Sequence, residues 1–181
     1  SITMANYITI SRMVLIFPVL ILATAEPGLN NWIALILFVI AGITDHLDGY
    51  IARKTSSTSE LGALLDLIAD KLLIIVTLFY FISHESNLFL IVPSIIIIIR
   101  EIAISSFRQF LAEKGGKNPI KVTFIAKSKT TLQIFALSFL IISPNFGQYF
   151  FLLTICLFWL AAYVSLYSLY GYLKAYRNLM K

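Results

Sequence analysis

Apolar residues run along this chain in long blocks, interrupted by a few short polar places, and without the period-two alternation of a half-buried strand. Six blocks can be marked, at about 8–25, 30–53, 60–82, 87–112, 123–143 and 147–176. A bilayer core of about 30 Å takes on the order of 20 residues of helix, so each block is long enough to cross. Runs such as Ile95 to Ile99 are rich in β-branched residues that favour strand in water. Hydrocarbon admits only helices or closed barrels, and blocks of this length are predicted as helices. Glu26-Pro27-Gly28, Ser83 to Asn87 and Ser143-Pro144-Asn145 are predicted turns on one side, with loops from Lys54 to Ser59 and Lys114 to Lys121 on the other. The expected fold is an all-α integral membrane protein of six transmembrane helices.

Composition strengthens that picture. Of 181 residues, 59% are hydrophobic and 13% charged, against roughly 45–50% and about 25% in soluble domains. The mean hydropathy is +0.89. No Pro/Gly/Ser-rich linker divides the chain, so residues 1–181 read as a single transmembrane domain. The lone Cys156 lies in an apolar run, forms no internal disulfide and reads as a small hydrophobe. The first apolar block runs into Glu26-Pro27 without a small-x-small cleavage site, so no cleavable signal peptide is expected.

Charge sets the orientation and the class of partner. The formal charge is +5, and the sequence pI is about 9.4. The basic residues are interleaved with the spans, which favours anionic lipid or phosphorylated substrates as partners and gives no role to nucleic acid. Arg12, Arg53, Lys54, Lys71, Arg100, Arg108, Lys114, Lys117, Lys121, Lys127, Lys129, Lys174, Arg177 and Lys181 all fall toward one side, while the opposite turns carry Glu26, His84 and Glu85. The positive-inside rule then puts both termini and the basic loops in the cytoplasm.

Acids inside such blocks call for a reason. Asp45, Asp48, Gly49 and Ala52 share one helix stripe, and Gly62, Asp66 and Asp70 share another. At 1.5 Å per residue the two stripes lie at similar depth, roughly 9–15 Å below the loop that joins them. One intramembrane aspartate can be a snorkelling residue or a helix–helix contact. Four facing each other without a cation would repel, and some would have to protonate. Four carboxylates are the hard oxygen donors that Mg²⁺, Mn²⁺ or Ca²⁺ takes, and two such ions would balance the charge and orient phosphates. Gly49 and Gly62 let a substrate group approach the backbone.

The pattern D-x2-D-G-x2-A-R-x8-G-x3-D-x3-D, complete from Asp45 to Asp70, resembles the signature of the CDP-alcohol phosphatidyltransferases. The resemblance implies that family's six-helix fold, often a homodimer, a site for two ions of Mg²⁺ or Mn²⁺, and transfer from a CDP-linked lipid to an alcohol with release of CMP. Carried over by motif position, Asp45, Asp48, Asp66 and Asp70 would hold metal, and Asp70 would be the general base. Asp48, Gly49, Arg53, Ser59, Gly62 and Thr9 would bind the CDP-lipid. Chemically, an ionised carboxylate in reach of an alcohol takes its proton as attack begins, and Arg53 adds a phosphate partner. Ser59 and its neighbours Ser56, Ser57 and Thr58 are equally well explained as ordinary loop residues.

The acceptor is read elsewhere. Arg100 and Arg108 lie eight apart, roughly on one face, and Lys127 and Lys129 open the fifth block from the same side. Together they are expected to form a cationic pocket for a second phosphate. Positive-inside decoration accounts for Lys114, Lys117 and Lys121, but fits Arg100 poorly because isoleucines precede it. The stretch Arg100-Glu101-Ile-x-x-Ser105-x-x-Arg108, the run Lys127-x-Lys129-Thr130-x-x-Gln133, the start Asn6-x-Ile8-Thr9-x-Ser11-Arg12 and Ala69-Asp70-Lys71 resemble the bacterial phosphatidylglycerophosphate-forming branch. That branch implies CDP-diacylglycerol as donor, sn-glycerol 3-phosphate as acceptor, and a bacterial inner membrane with the active site facing the cytoplasm. Leu67 departs from it, standing where the branch usually has a proline that would bend the helix.

Within the family, inositol-phosphate, serine or cardiolipin-forming acceptors stay open. Outside it, a proton- or ion-coupled transporter would also use intramembrane acids. Transporters of that kind often show internal repeats and broken helices; no convincing repeat is present here, and the four acids occupy one hairpin. Tyr163, Tyr167 and Tyr170 are read as interfacial or packing residues.

Overall fold

Helix forms wherever the chain is apolar, because the backbone polar groups of such segments find partners only within the segment itself. A computed structural model of the chain describes residues 4–55, 60–113 and 124–179. Within these, side chains at 4, 5, 45–55, 60, 62, 63, 66, 67, 70, 111, 112, 124–130, 175 and 179 lie outside the description. The helices are α1 (Met4–Ala23), α2 (Leu29–Thr55), α3 (Glu60–Ser83), α4 (Leu88–Glu113), α5 (Phe124–Ile142) and α6 (Gln148–Leu179). A single 3-10 turn, Ser143–Asn145, precedes α6, and no strand occurs among the described residues. Helix α1 begins four residues before the apolar block does, and α2 runs on through Lys54 and Thr55. Helix α3 passes Leu67 without interruption.

Three helices contain long apolar spans by length and composition, at Asn6–Ala23, Leu88–Phe110 and Gln148–Asn178. The others hold shorter apolar stretches, at Leu29–Thr44, Lys71–Ser83 and Thr131–Asn145. The ends of α2, α3 and α5 that carry the aspartates, Arg53, Lys127 and Lys129 lie beyond those stretches but within the helices. At 1.5 Å per residue even the 19-residue α5 extends about 28 Å.

Helix α1 packs on α2 and α3, α4 on α6 and α3, and α5 on α6 and α2. The core is built from Phe38, Leu78, Leu90, Leu137, Ile141 and Phe158. Small residues Ala34, Ala41, Ala136, Ala161 and Ala162 are buried among them and let the helices approach closely. Buried hydroxyls of Ser94, Ser138 and Thr154 bond the carbonyl four residues back, at 2.8, 2.7 and 3.0 Å, so they ask nothing of a neighbouring helix. Large apolar side chains also cover the outside, among them Phe17, Ile21, Phe79, Phe89, Leu152 and Tyr163. So broad an apolar exterior suits hydrocarbon and would drive association in water.

The end of the bundle opposite the aspartate-bearing ends of α2 and α3 is tied by side chains. Asn31 Nδ2 donates to the Ile141 carbonyl at 2.8 Å, and Gly28 and Asn145 exchange two hydrogen bonds of 2.8 and 2.9 Å. Gly28 adopts φ +130°, and no atom lies within 4 Å of where a Cβ would stand, so conformation rather than space requires glycine there. Thr24 and Tyr80 share a hydrogen bond of 2.8 Å between hydroxyls. Asn87 caps α4 by accepting from Phe89 N at 2.9 Å.

Candidate active site

The signature residues occupy two consecutive helices. Asp45, Asp48, Gly49 and Arg53 lie in the last three turns of α2, and Gly62, Asp66 and Asp70 in the first three of α3. Measured along the helices, Asp45 stands about 15 Å from the end of α2, and Asp66 and Asp70 about 9 and 15 Å from the start of α3. Their side chains lie outside the described residues, as do those of Lys127 and Lys129, which are placed only as helical positions near the start of α5. Ser59 and the basic loop holding Lys114, Lys117 and Lys121 lie outside the described residues altogether.

Helix α1 brings a polar stripe to this pair. Asn6, Thr9 and Arg12, spaced by three, are all buried, with Arg12 only 1% exposed. An arginine this buried is almost always paired, and the helices α1 packs against are those that carry the four aspartates. Thr9 thus stands on the face of α1 that is covered by the bundle.

Deeper in the bundle the described side chains build a second polar cluster. Arg100 is buried on α4; its Nη1 reaches Glu101 Oε1 at 3.3 Å and its Nη2 donates to Ser168 Oγ of α6 at 2.8 Å. Glu101 Oε2 accepts from Lys71 Nζ of α3 at 2.7 Å. Gln133 Nε2 of α5 lies 3.4 Å from Glu101 Oε1 and 3.3 Å from Ser165 Oγ of α6. Three helices therefore meet at one carboxylate, and Arg100 and Gln133 link it to α6. Among the described side chains this cluster holds two cations and one anion, a local excess of positive charge that favours a phosphate. Among the described residues Arg100 Nε is buried without a hydrogen-bond partner.

Arg108 stands two turns further along α4 and also turns to α6. Its Nη2 donates to the Tyr172 hydroxyl at 2.6 Å, with the guanidinium carbon 5.5 Å from that ring's centre. Both arginines are thus engaged with α6 rather than free. The sequence reading singled them out, but it missed Ser168 and Tyr172 as their partners, Lys71 as the partner of Glu101 and Ser165 as that of Gln133. The available signal was that Lys71 and Glu101 are opposite charges inside two apolar blocks, each needing a counterion.

The family profile described as CDP-alcohol phosphatidyltransferase matches residues 2–167. A Haemophilus influenzae CDP-diacylglycerol–glycerol-3-phosphate 3-phosphatidyltransferase is 37% identical over 169 residues, covering 93% of this chain and 90% of the relative. Proteins of the same description are 35% identical in Salmonella choleraesuis, over 94% of this chain and 93% of the relative, and 34% identical in Escherichia coli K12, over 94% and 92%. With the signature placed on α2 and α3 and the match running nearly end to end, the chain belongs to the CDP-alcohol phosphatidyltransferase family.

Proposed function

We propose that this protein transfers the phosphatidyl group of CDP-diacylglycerol to sn-glycerol 3-phosphate, giving phosphatidylglycerophosphate and CMP. The observation that carries the acceptor is the buried cationic cluster around Arg100, one residue along α3 from Asp70 through Lys71. Relatives that align over nine-tenths of their length bear the same acceptor in their descriptions.

Four carboxylates in an otherwise apolar bundle are the donor chemistry for a hard divalent ion and suit little else. Asp45, Asp48, Asp66 and Asp70 are the residues that hold it, as Mg²⁺ or Mn²⁺ and as two ions. Metal so held supplies charge neutralisation for the diphosphate and the departing CMP. Asp48, Gly49, Arg53, Ser59, Gly62 and Thr9 bind the CDP-lipid, Arg53 by pairing with phosphate. Arg100, Arg108, Lys127 and Lys129 orient the acceptor through its own phosphate. Asp70 takes the proton of the acceptor hydroxyl as its oxygen bonds to the phosphatidyl phosphorus. The bond from that phosphorus to the CMP oxygen breaks, and CMP leaves with the electron pair.

The chain acts as one transmembrane catalytic domain, residues 1–181. All six helices cross the bilayer, both termini and the aspartate-bearing ends of α2 and α3 face the cytoplasm, and the working form is a homodimer in a bacterial inner membrane. The one-sided basic residues support that orientation, since the turns at 24–28, 84–87 and 143–147 carry no lysine or arginine. The dimer rests on the family resemblance.

The test is CMP release from CDP-diacylglycerol by purified protein with Mg²⁺ or Mn²⁺, comparing glycerol 3-phosphate, serine, inositol and inositol phosphate. Glycerol 3-phosphate is expected to give the highest rate, and chelation by EDTA to abolish it. Preference for serine would overturn the acceptor, and absence of turnover with every acceptor would overturn the enzyme reading. Asp70→Asn is expected to remove turnover with helix content intact; an active variant would exclude Asp70 as the base.

A further inference from the structure

The cluster around Glu101 holds more connections than charge balance asks for. Arg100 and Glu101 are neighbours on α4 and already neutralise one another at 3.3 Å. Yet the shortest ionic contact Glu101 makes among the described residues is to Lys71 of α3, at 2.7 Å. The two carboxylate oxygens are divided between them: Oε2 serves Lys71, while Oε1 faces Arg100 and Gln133. Glu101 and Arg100 are both deeply buried, with side chains 6% and 3% exposed. Lys71 sits 11 residues into α3, from Glu60, or about 16 Å, too far inside to reach the near end of its helix.

We propose that Glu101 is a positioning residue: by holding Lys71 on α3 and Arg100 on α4 with one carboxylate, it aligns the acceptor with the base. Successive residues on an α-helix lie about 100° apart, so pinning Lys71 to α4 fixes the rotation of α3 at the residue next to Asp70. The same carboxylate fixes the guanidinium that orients the acceptor phosphate. Gln133 and Ser168 complete the frame from α5 and α6, Gln133 at Glu101 Oε1 and Ser168 at Arg100 Nη2. The inference rests on the reading of Asp70 and Arg100 given above. It adds that their mutual distance is set by a contact in which neither Lys71 nor Glu101 touches substrate.

The experiment is a double-mutant cycle on the purified, detergent-solubilised protein with CDP-diacylglycerol and Mn²⁺. Glu101→Gln and Lys71→Met are each expected to lower the acceptor-dependent kcat by about 10- to 100-fold, the scale of a misplacement near 1 Å. KM for CDP-diacylglycerol should stay within about twofold, because Gly62, the CDP-lipid residue on α3, stands about 13 Å along the helix from Lys71. The double variant should be no slower than the slower single one, since both remove the same clamp. Glu101→Asp, which keeps the charge, should recover part of the rate. Multiplying effects in the double variant, wild-type kcat in either single variant, or a matching rise in KM for CDP-diacylglycerol would each overturn the proposal. If Glu101→Gln fails to fold by circular dichroism, Lys71→Met and Lys71→Arg carry the test, Lys71 being the less buried partner. Wild-type preference for another acceptor overturns the glycerol 3-phosphate reading alone, and the cycle is then run with that acceptor. Absence of wild-type turnover with any acceptor overturns both.

Discussion

Arg100 shows how a single residue can be read correctly and still be misjudged in its surroundings. A guanidinium preceded by isoleucines had to be functional or paired; in the fold it is paired, with Glu101 and Ser168, and buried. That engagement fits a phosphate site, because donors held in place before the substrate arrives lose less entropy on binding. Arg100→Met is expected to raise KM for glycerol 3-phosphate at least about tenfold while leaving KM for CDP-diacylglycerol unchanged, a split that initial-rate kinetics resolves. Arg100→Lys should recover only part, since an ammonium cannot serve both Glu101 and Ser168 in the fork geometry of a guanidinium. Removing Arg100 takes one of two cations from buried Glu101 and the donor from Ser168, a loss that Lys71 offsets only in part. A lower thermal unfolding midpoint in detergent should therefore accompany the Arg100→Met kinetics.

Among the helices, α2 and α5 are joined far from the chemistry. Asn31 on the first turn of α2 donates to the last carbonyls of two other helices, Ile141 at 2.8 Å and Ala23 at 3.5 Å. Asn31→Ala leaves a buried carbonyl unmade, at a cost of about 1–3 kcal/mol. Thermal unfolding should register that loss, while CMP release at 25 °C should be unchanged within about twofold. Gly28→Ala meets no atom but forces an L side chain to φ +130°, and should destabilise by about 1–3 kcal/mol. Helix positions were legible because lipid leaves backbone groups no other partners, so the apolar blocks and the helices nearly coincide. The start of α1 was not legible: Asn6 falls before the predicted block, yet with Thr9 and Arg12 it forms a buried stripe within the helix.

For the molecule as a whole, the orientation is open to a direct measurement. In a Cys156→Ser background, Ser86→Cys and Lys174→Cys place single thiols at exposed positions toward opposite ends of the bundle. An impermeant maleimide added to intact cells is expected to label position 86 and to reach position 174 only after lysis. Labelling of 174 in intact cells would reverse the topology. The apolar exterior predicts that the purified protein precipitates when detergent is withdrawn and stays soluble in nanodiscs, which light scattering would follow.

By itself the sequence determined the helical character and the family, and set the four aspartates in one motif across two consecutive apolar blocks. Block length, hydropathy and an eight-position motif are local properties that survive without knowing which helix touches which. Only the tertiary structure decided that Lys71, 30 residues before Glu101, is its closest ionic partner among the described residues, that Ser168 and Tyr172 of α6 meet the two arginines, and that Ser165 meets Gln133. Those pairings depend on helix rotation and depth, which long uniform apolar blocks leave undetermined. A charge inside such a block announces that it needs a partner, and the packing of the helices chooses which one.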